Sequence, residues 1–120
     1  MSERQAAEKI TPEQFFDEIV PQILIATANT RVNVEGVCEI HLFGETRSAW
    51  TINLKAGTVQ QGGTKDPDLY LEMDRGDFQA MMMNRLDIER AIRGGRVRFE
   101  GKLPLLADLG EILEPRSMEY

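Results

Sequence analysis

A single histidine and a single cysteine are the whole supply of imidazole and thiol in the chain. They are His41 and Cys38, in a stretch from Val37 to Phe43 that alternates apolar and polar residues. Nucleophilic catalysis needs a nucleophile, a base and a group that orients the base. The alternation instead turns Cys38 to the apolar face of a strand and sets His41 beside Glu39 on the polar face. A buried free cysteine acts as a small hydrophobe, and a histidine beside Glu39 reads as a solvated strand residue. There is no Gly-x-Ser-x-Gly elbow. One cysteine and one histidine also fall short of the four ligands of a structural zinc site. Gly62-Gly63-Thr64-Lys65 has neither the spacing nor the Lys-Ser/Thr ending of a phosphate-binding loop. No catalytic residue, metal site or cofactor is expected.

Three carboxylate-rich places remain: Asp66/Asp68, Asp74/Asp77 and Glu111/Glu114. None has the ligand spacing of a calcium loop, and loop solvation or helix capping accounts for them. A basic cluster holds Arg85, Arg90, Arg93, Arg96, Arg98 and Lys102 against Asp87, Glu89 and Glu100. It reads either as a docking surface for an anion or lipid headgroup, or as a strand whose Arg96 and Arg98 point outward and pair across to Glu72 or Glu39. Met81-Met82-Met83, close to Phe78, reads either as ordinary core or as the wall of an adaptable apolar cavity.

The chain has 120 residues, enough for one domain with its own core. Its hydrophobic fraction is 42% and its charged fraction 28%, a globular composition. A net charge of −6 argues against nucleic-acid binding, which needs a basic footprint. The polar start Met1-Ser2-Glu3-Arg4-Gln5, the lone cysteine and the lack of a membrane-length apolar run lead to the expectation of a cytoplasmic protein.

The elements that must position these residues follow from periodicity. A flexible N-terminus is expected over residues 1–10, one domain over 11–115 and a tail over 116–120. Thr11-Pro12-Glu13-Gln14 has the form of a capping box with proline at the first helical position. Phe15, Phe16, Ile19 and Val20 follow at helical spacing, and Pro21 predicts a kink or restart before Ile23, Leu24 and Ile25. The period then becomes two. Strands are predicted over Val37–Phe43 (Cys38, Ile40, Leu42 inward), Ser48–Leu54 (Trp50, Ile52, Leu54 inward), Thr58–Gln61 and around Leu69, Leu71 and Met73. Asp74 caps a helix carrying Phe78, Met81 and Met82, and Asp87 caps another with Ile88, Ala91 and Ile92 that ends at Gly94-Gly95. Arg96–Glu100 is a fifth strand with Val97 and Phe99 inward. Pro104 opens a last helix with Leu105, Leu106, Leu109, Ile112 and Leu113 on one face, closed by Pro115. The order α-β-β-β-β-α-α-β-α describes an α+β domain with helices on one side of a sheet.

In order and in residues the chain resembles the sterol carrier protein-2 domain family, over roughly residues 11–114. The resemblance rests on Thr11-Pro12-Glu13-Gln14-Phe15-Phe16, on Trp50-Thr51-Ile52-Asn53-Leu54-Lys55-Ala56-Gly57, on Met73-Asp74-Arg75-Gly76-Asp77-Phe78 and on Leu86-Asp87. Its most telling segment is Gly95-Arg96-Val97-Arg98-Phe99-Glu100-Gly101, similar to the family's glycine-flanked strand before the last helix. The resemblance implies a five-stranded, mostly antiparallel sheet with helices packed on one face and an apolar tunnel between the layers. It implies binding and transfer of a sterol, fatty acid, acyl-CoA or other lipid, without catalysis and with transient contact to a membrane or lipid enzyme. By place in the order of elements, the tunnel-facing positions match Phe78, Met82, Ile92, Phe99, Leu105, Leu106 and Leu109. Lys102-Leu103-Pro104 and the leucine-rich last helix depart from the acidic residue and Met-rich helix of many relatives, which bears on the ligand rather than the fold. The competing expectations are an accessory module whose groove is closed by Leu105, Leu106 and Leu109, and an enzyme with a site the sequence does not display.

Overall fold

The computed structural model describes residues 10–29, 34–83 and 88–113. The expectations for residues 1–9, Arg85, Leu86, Asp87, Glu114, Pro115 and the tail lie outside those residues, as do those for the side chains of Ile88, Glu89, Glu111, Ile112 and Leu113.

The first helix is built in three pieces. The Thr11 hydroxyl accepts the Gln14 N–H at 3.1 Å, and the Gln14 side chain accepts the Thr11 N–H at 3.1 Å. This reciprocal box starts α1 (Pro12–Gln14). A π-helical turn, Phe15–Ile19, follows, with the Val20 N–H bonded to the Phe15 carbonyl. Regular α-helix resumes as α2 (Val20–Ala26). Pro21 has no N–H to return to the Asp17 carbonyl, so the regular ladder fails there, and the widened turn lies directly before it. Ile10, expected to be frayed, is half-buried against the core, and its carbonyl accepts the Gln79 side-chain amide at 3.2 Å. The first turn is thus anchored one residue earlier than composition suggests.

The strands are β1 (Val37–Phe43), β2 (Ser48–Asn53), β3 (Thr58–Gln61), β4 (Leu69–Asp74) and β5 (Val97–Gly101). They lie in the order β3-β2-β1-β4-β5. All neighbours are antiparallel except the central pair β1 and β4, which run parallel with Ile40 beside Leu71. The predicted faces hold. Cys38, Ile40, Leu42, Trp50, Ile52, Leu69, Leu71, Met73 and Val97 are buried, as is Leu54 just past the end of β2.

Three helices complete the core: α3 (Arg75–Met82), α4 (Ile88–Arg93) and α5 (Leu103–Leu113). The Asp74 carboxylate caps α3 by accepting the Gly76 N–H at 2.7 Å and the Asp77 N–H at 3.2 Å. Gly95 ends α4 at φ +78°. Its N–H bonds to the Ile92 carbonyl, and the Arg96 N–H to that of Ala91, a Schellman closure that needs the left-handed residue. Arg75 donates to both Glu13 oxygens, at 2.6 and 2.8 Å, joining α1 to α3. Among the described residues no helix is long and apolar enough to cross a membrane.

Two features of the outer sheet face were not expected. Glu39 is buried rather than solvated, because the loop after β3 folds onto it. The Thr64 N–H donates to Glu39 Oε1 at 3.1 Å, and the Thr51 hydroxyl donates to the Gly62 carbonyl at 2.7 Å. Asp68, expected to be a solvated loop residue, is a strand junction. Its side chain accepts the Val37 N–H at 2.9 Å, its N–H meets the Val37 carbonyl, and its carbonyl accepts the Lys102 N–H. Gly101, at φ +121°, backs onto that junction: a Cβ there would stand 2.2 Å from the Asp68 carbonyl oxygen.

Candidate functional site

An apolar layer lies between the sheet and the helices. Its centre is an aromatic stack drawn from three elements. Phe16 lies flat between Trp50, at 4.4 Å between ring centroids, and Phe78, at 5.3 Å. Phe15 meets both phenylalanines edge-on. Phe15 and Phe16 both face inward from the widened turn. The Trp50 indole N–H reaches Asp17 Oδ1 at 3.3 Å, so its polar atom is satisfied from the same turn.

The seven positions implied by the resemblance all belong to this one hydrophobic cluster. Phe78, Leu105 and Leu109 are buried in it, and Met82, Ile92, Phe99 and Leu106 are partly buried against it. Met81 is core, while Met82 and Met83 are half-covered. Leu105 also fills the place of an absent side chain: a Cβ on Gly36 would stand 2.5 Å from its methyl group.

A cavity of about 310 Å³ opens at the far end of α2. Leu24, Ile25 and Ala28 form one wall, Val34 another, and the turn from Leu54 to Gly57 the third. Sequence reasoning missed it. The signal was three consecutive apolar residues, Ile23 to Ile25, which a single helix face cannot bury together. Ile25 is the one left over, 76% exposed.

The polar groups resolve into structure. His41 Nε2 contacts the Glu39 carboxylate, and its ring lies 5.1 Å from that of Tyr70. Burial, with help from the Asp68 and Asp108 charges, pushes the Cys38 thiol up to about 12, far from reactive thiolate character. Of the basic cluster, Arg98 follows the pairing reading. Arg98 lies 3.7 Å from Glu72, Arg96 pairs with Asp77 rather than Glu39 at 3.7 Å, and Lys102 lies 3.5 Å from Asp68. Arg90 and Arg93 are exposed. No group of three metal-ligating side chains occurs among the described residues.

Solved structures share this arrangement. The solution structure of palmitated SCP2L2 from Aedes aegypti superposes with a TM-score of 0.73 at 23% identity, over 86% of this chain and 94% of that one. The sterol carrier protein-2 of Aedes aegypti in complex with the C16 fatty acid palmitate gives 0.69 at 16% identity, over 84% and 92%. A sec-alkyl sulfatase matches at 0.67 and 19% identity, covering 90% of this chain and only 17% of the enzyme. At these identities the structural likeness speaks for the fold. The sequence itself matches the model of the SCP-2 sterol transfer family over residues 16–114, so the chain belongs to that family.

Proposed function

We propose that the protein is a non-enzymatic lipid carrier that holds one hydrophobic ligand of fatty-acyl or sterol size between the sheet and α3, α4 and α5. The family match over residues 16–114 carries this reading. It is supported by a relative of the same fold whose structure is a palmitate complex. The lining we assign is Phe78, Met82, Ile92, Phe99, Leu105, Leu106 and Leu109, all members of one apolar cluster. Burying an acyl chain contributes about 0.8 kcal/mol per methylene, so ten methylenes offer ~8 kcal/mol before association costs. Micromolar affinity, about −8 kcal/mol, needs no charged or catalytic group. A buried free thiol at Cys38 suits a reducing, cytoplasmic setting, and transfer implies transient contact with a membrane or lipid enzyme.

The test is denaturing extraction of the purified protein with lipid mass spectrometry, followed by displacement of a fluorescent fatty acid. Stoichiometric lipid, or displacement below ~100 μM (about −5.5 kcal/mol), supports carriage. Absence of any bound or displacing lipid would overturn carriage and leave an accessory module whose groove is closed by its own side chains.

A further inference from the structure

We infer that the outer edge of β5 is a self-association surface, on which a second copy of this chain adds its own β5 antiparallel about a twofold axis at Phe99. The inference stands whether or not the protein carries a lipid.

β5 ends the sheet. It has β4 on one side and, among the described residues, no strand on the other. Which backbone groups are left over follows from the ladder. Glu100 lies opposite Tyr70 and Arg98 opposite Glu72, and the Lys102 N–H bonds to the Asp68 carbonyl. Hydrogen-bonded pairs alternate along an antiparallel ladder. Counting back from Lys102, Glu100 and Arg98 turn their backbone groups to β4, and Val97, Phe99 and Gly101 turn theirs to the open edge. Such an edge is a template for another strand.

The side chains select which strand. Charge on an edge ordinarily repels an incoming strand, but the two outer-face charges of β5 are opposite in sign. Arg98 is 70% exposed and Glu100 69%, with 3.8 Å between them. Arg98 also lies 3.7 Å from Glu72. At that exposure these contacts are weak and leave Arg98 able to meet a further carboxylate.

Pairing with Phe99 opposite Phe99 sets each Arg98 opposite Glu100 of the other copy. This is also the arrangement that the open edge demands. Phe99, whose backbone groups point outward, forms the hydrogen-bonded pair. Arg98 and Glu100 form the flanking non-bonded pairs, whose Cα atoms stand only about 4.5 Å apart. A slip of two residues either way puts Arg98 against Arg98 or Glu100 against Glu100, like charges directly opposite. Arg96 and Lys102 meet at the ends of the ladder, but each has its own carboxylate, Asp77 at 3.7 Å and Asp68 at 3.5 Å. On the helix side the two partly buried Phe99 rings meet across the axis, a favourable cross-strand pair. The opposite edge, β3, reads Thr58-Val59-Gln60-Gln61 and has no charges to match. A five-residue strand on each side is well short of the ~20–30 residues of a standard interface, so the dimer is weak and follows concentration.

The experiment is sedimentation equilibrium of the full chain from micromolar to millimolar concentration, with amide hydrogen exchange at both ends of that range. Wild type should pass from monomer to dimer. Arg98→Glu and Glu100→Arg each make both cross-strand pairs repulsive and should weaken association about tenfold or more. Mixed in equal amounts, the two variants place opposite charges in both pairs again and should regain the association as a heterodimer. Circular dichroism checks that each variant folds, and the exchange measurement needs no variant. Protection of the Val97 and Phe99 amides should rise with concentration, while the Arg98 and Glu100 amides, bonded to β4, should not change. A monomer throughout the range overturns the inference. So does a dimer indifferent to both reversals, or a mixture that fails to restore what each reversal lost. Protection at Phe99 that is independent of concentration also overturns it, and assigns the edge to another segment of the same chain.

Discussion

The Glu39 carboxylate rests on Nε2 of His41, two residues along β1, on the sheet face turned away from the helices. The loop after β3 roofs this pair so closely that a Cβ on Gly63 would stand 2.6 Å from Glu39 Oε2. Removing the carboxylate leaves the Thr64 N–H and the histidine without their acceptor. Glu39→Ala is therefore expected to cost about 1–3 kcal/mol, the range for an orphaned, partly buried donor. Chemical denaturation measures the loss, and faster hydrogen exchange at the Thr64 amide locates it. Unchanged exchange there would show that the roof stands without Glu39.

Phe16 lies between Trp50 and Phe78, and all three are nearly or fully inaccessible. Trp50 is the chain's only tryptophan, so its emission should be blue-shifted and report on this stack alone. Phe16→Ala is expected to cost ~3–5 kcal/mol and to move the emission maximum to the red. A red-shifted maximum in wild type would contradict the burial of β2's inner face.

Asp68 carries an acid-sensitive contribution to stability. The Val37 N–H, and then Lys102, hold its carboxyl below the usual carboxylate range against the opposing effect of burial. A depressed folded-state pKa means the stabilisation is present above the unfolded value, about 3.9, and is lost as pH falls through the folded value. Asp68→Ala should be less stable than wild type at pH 7, and the gap should shrink below about pH 4 as the wild-type carboxyl is protonated. Glu13 adds to the same trend. Burial opposes ionisation there, but the Arg75 hydrogen bond, a backbone hydrogen bond and the Arg75 charge together outweigh it and keep the carboxyl low. Paired denaturation curves at pH 7 and pH 3 check this, and a constant gap across that range would exclude it.

Met82 borders the buried cluster without being sealed in it. If the layer between sheet and helices opens to a ligand, Met82→Trp fills that volume. It should abolish binding of a fluorescent fatty acid while costing only ~1–3 kcal/mol. Loss of folding with no lipid bound by the wild type would identify a solid core and favour the accessory-module reading.

Local signals were legible and long-range ones were not. The Thr11–Gln14 box, the Asp74 cap and the Gly95 closure each depend on neighbours within a few residues, and each was readable from residue type. The strand faces followed from period two, down to Trp50 inward and Arg98 outward. The parallel adjacency of β1 and β4 carries no local mark, since a period-two strand pairs either way. Glu39 looked solvated because the residues that bury it, Gly62 to Thr64, are more than twenty positions away. The cavity at Lys55 was invisible for the same reason. Its walls come from a helix end and a hairpin turn that only the folded chain brings together, although the surplus Ile25 hinted at an unpaired apolar position.

The central parallel pair has a consequence during synthesis. β1 can form its hairpin with β2 early, but its other neighbour, β4, ends about thirty residues later, roughly 2–6 s at ribosomal elongation rates. Through that interval one edge of what becomes the middle of the sheet presents unpaired backbone groups, the geometry most prone to recruit a strand from another nascent chain. Cys38 sits on that strand. Its thiol is sealed once folding is complete but open to oxidants and crosslinkers before β4 arrives. Damage at this position therefore reports a state in which β4 is not yet, or no longer, paired with β1.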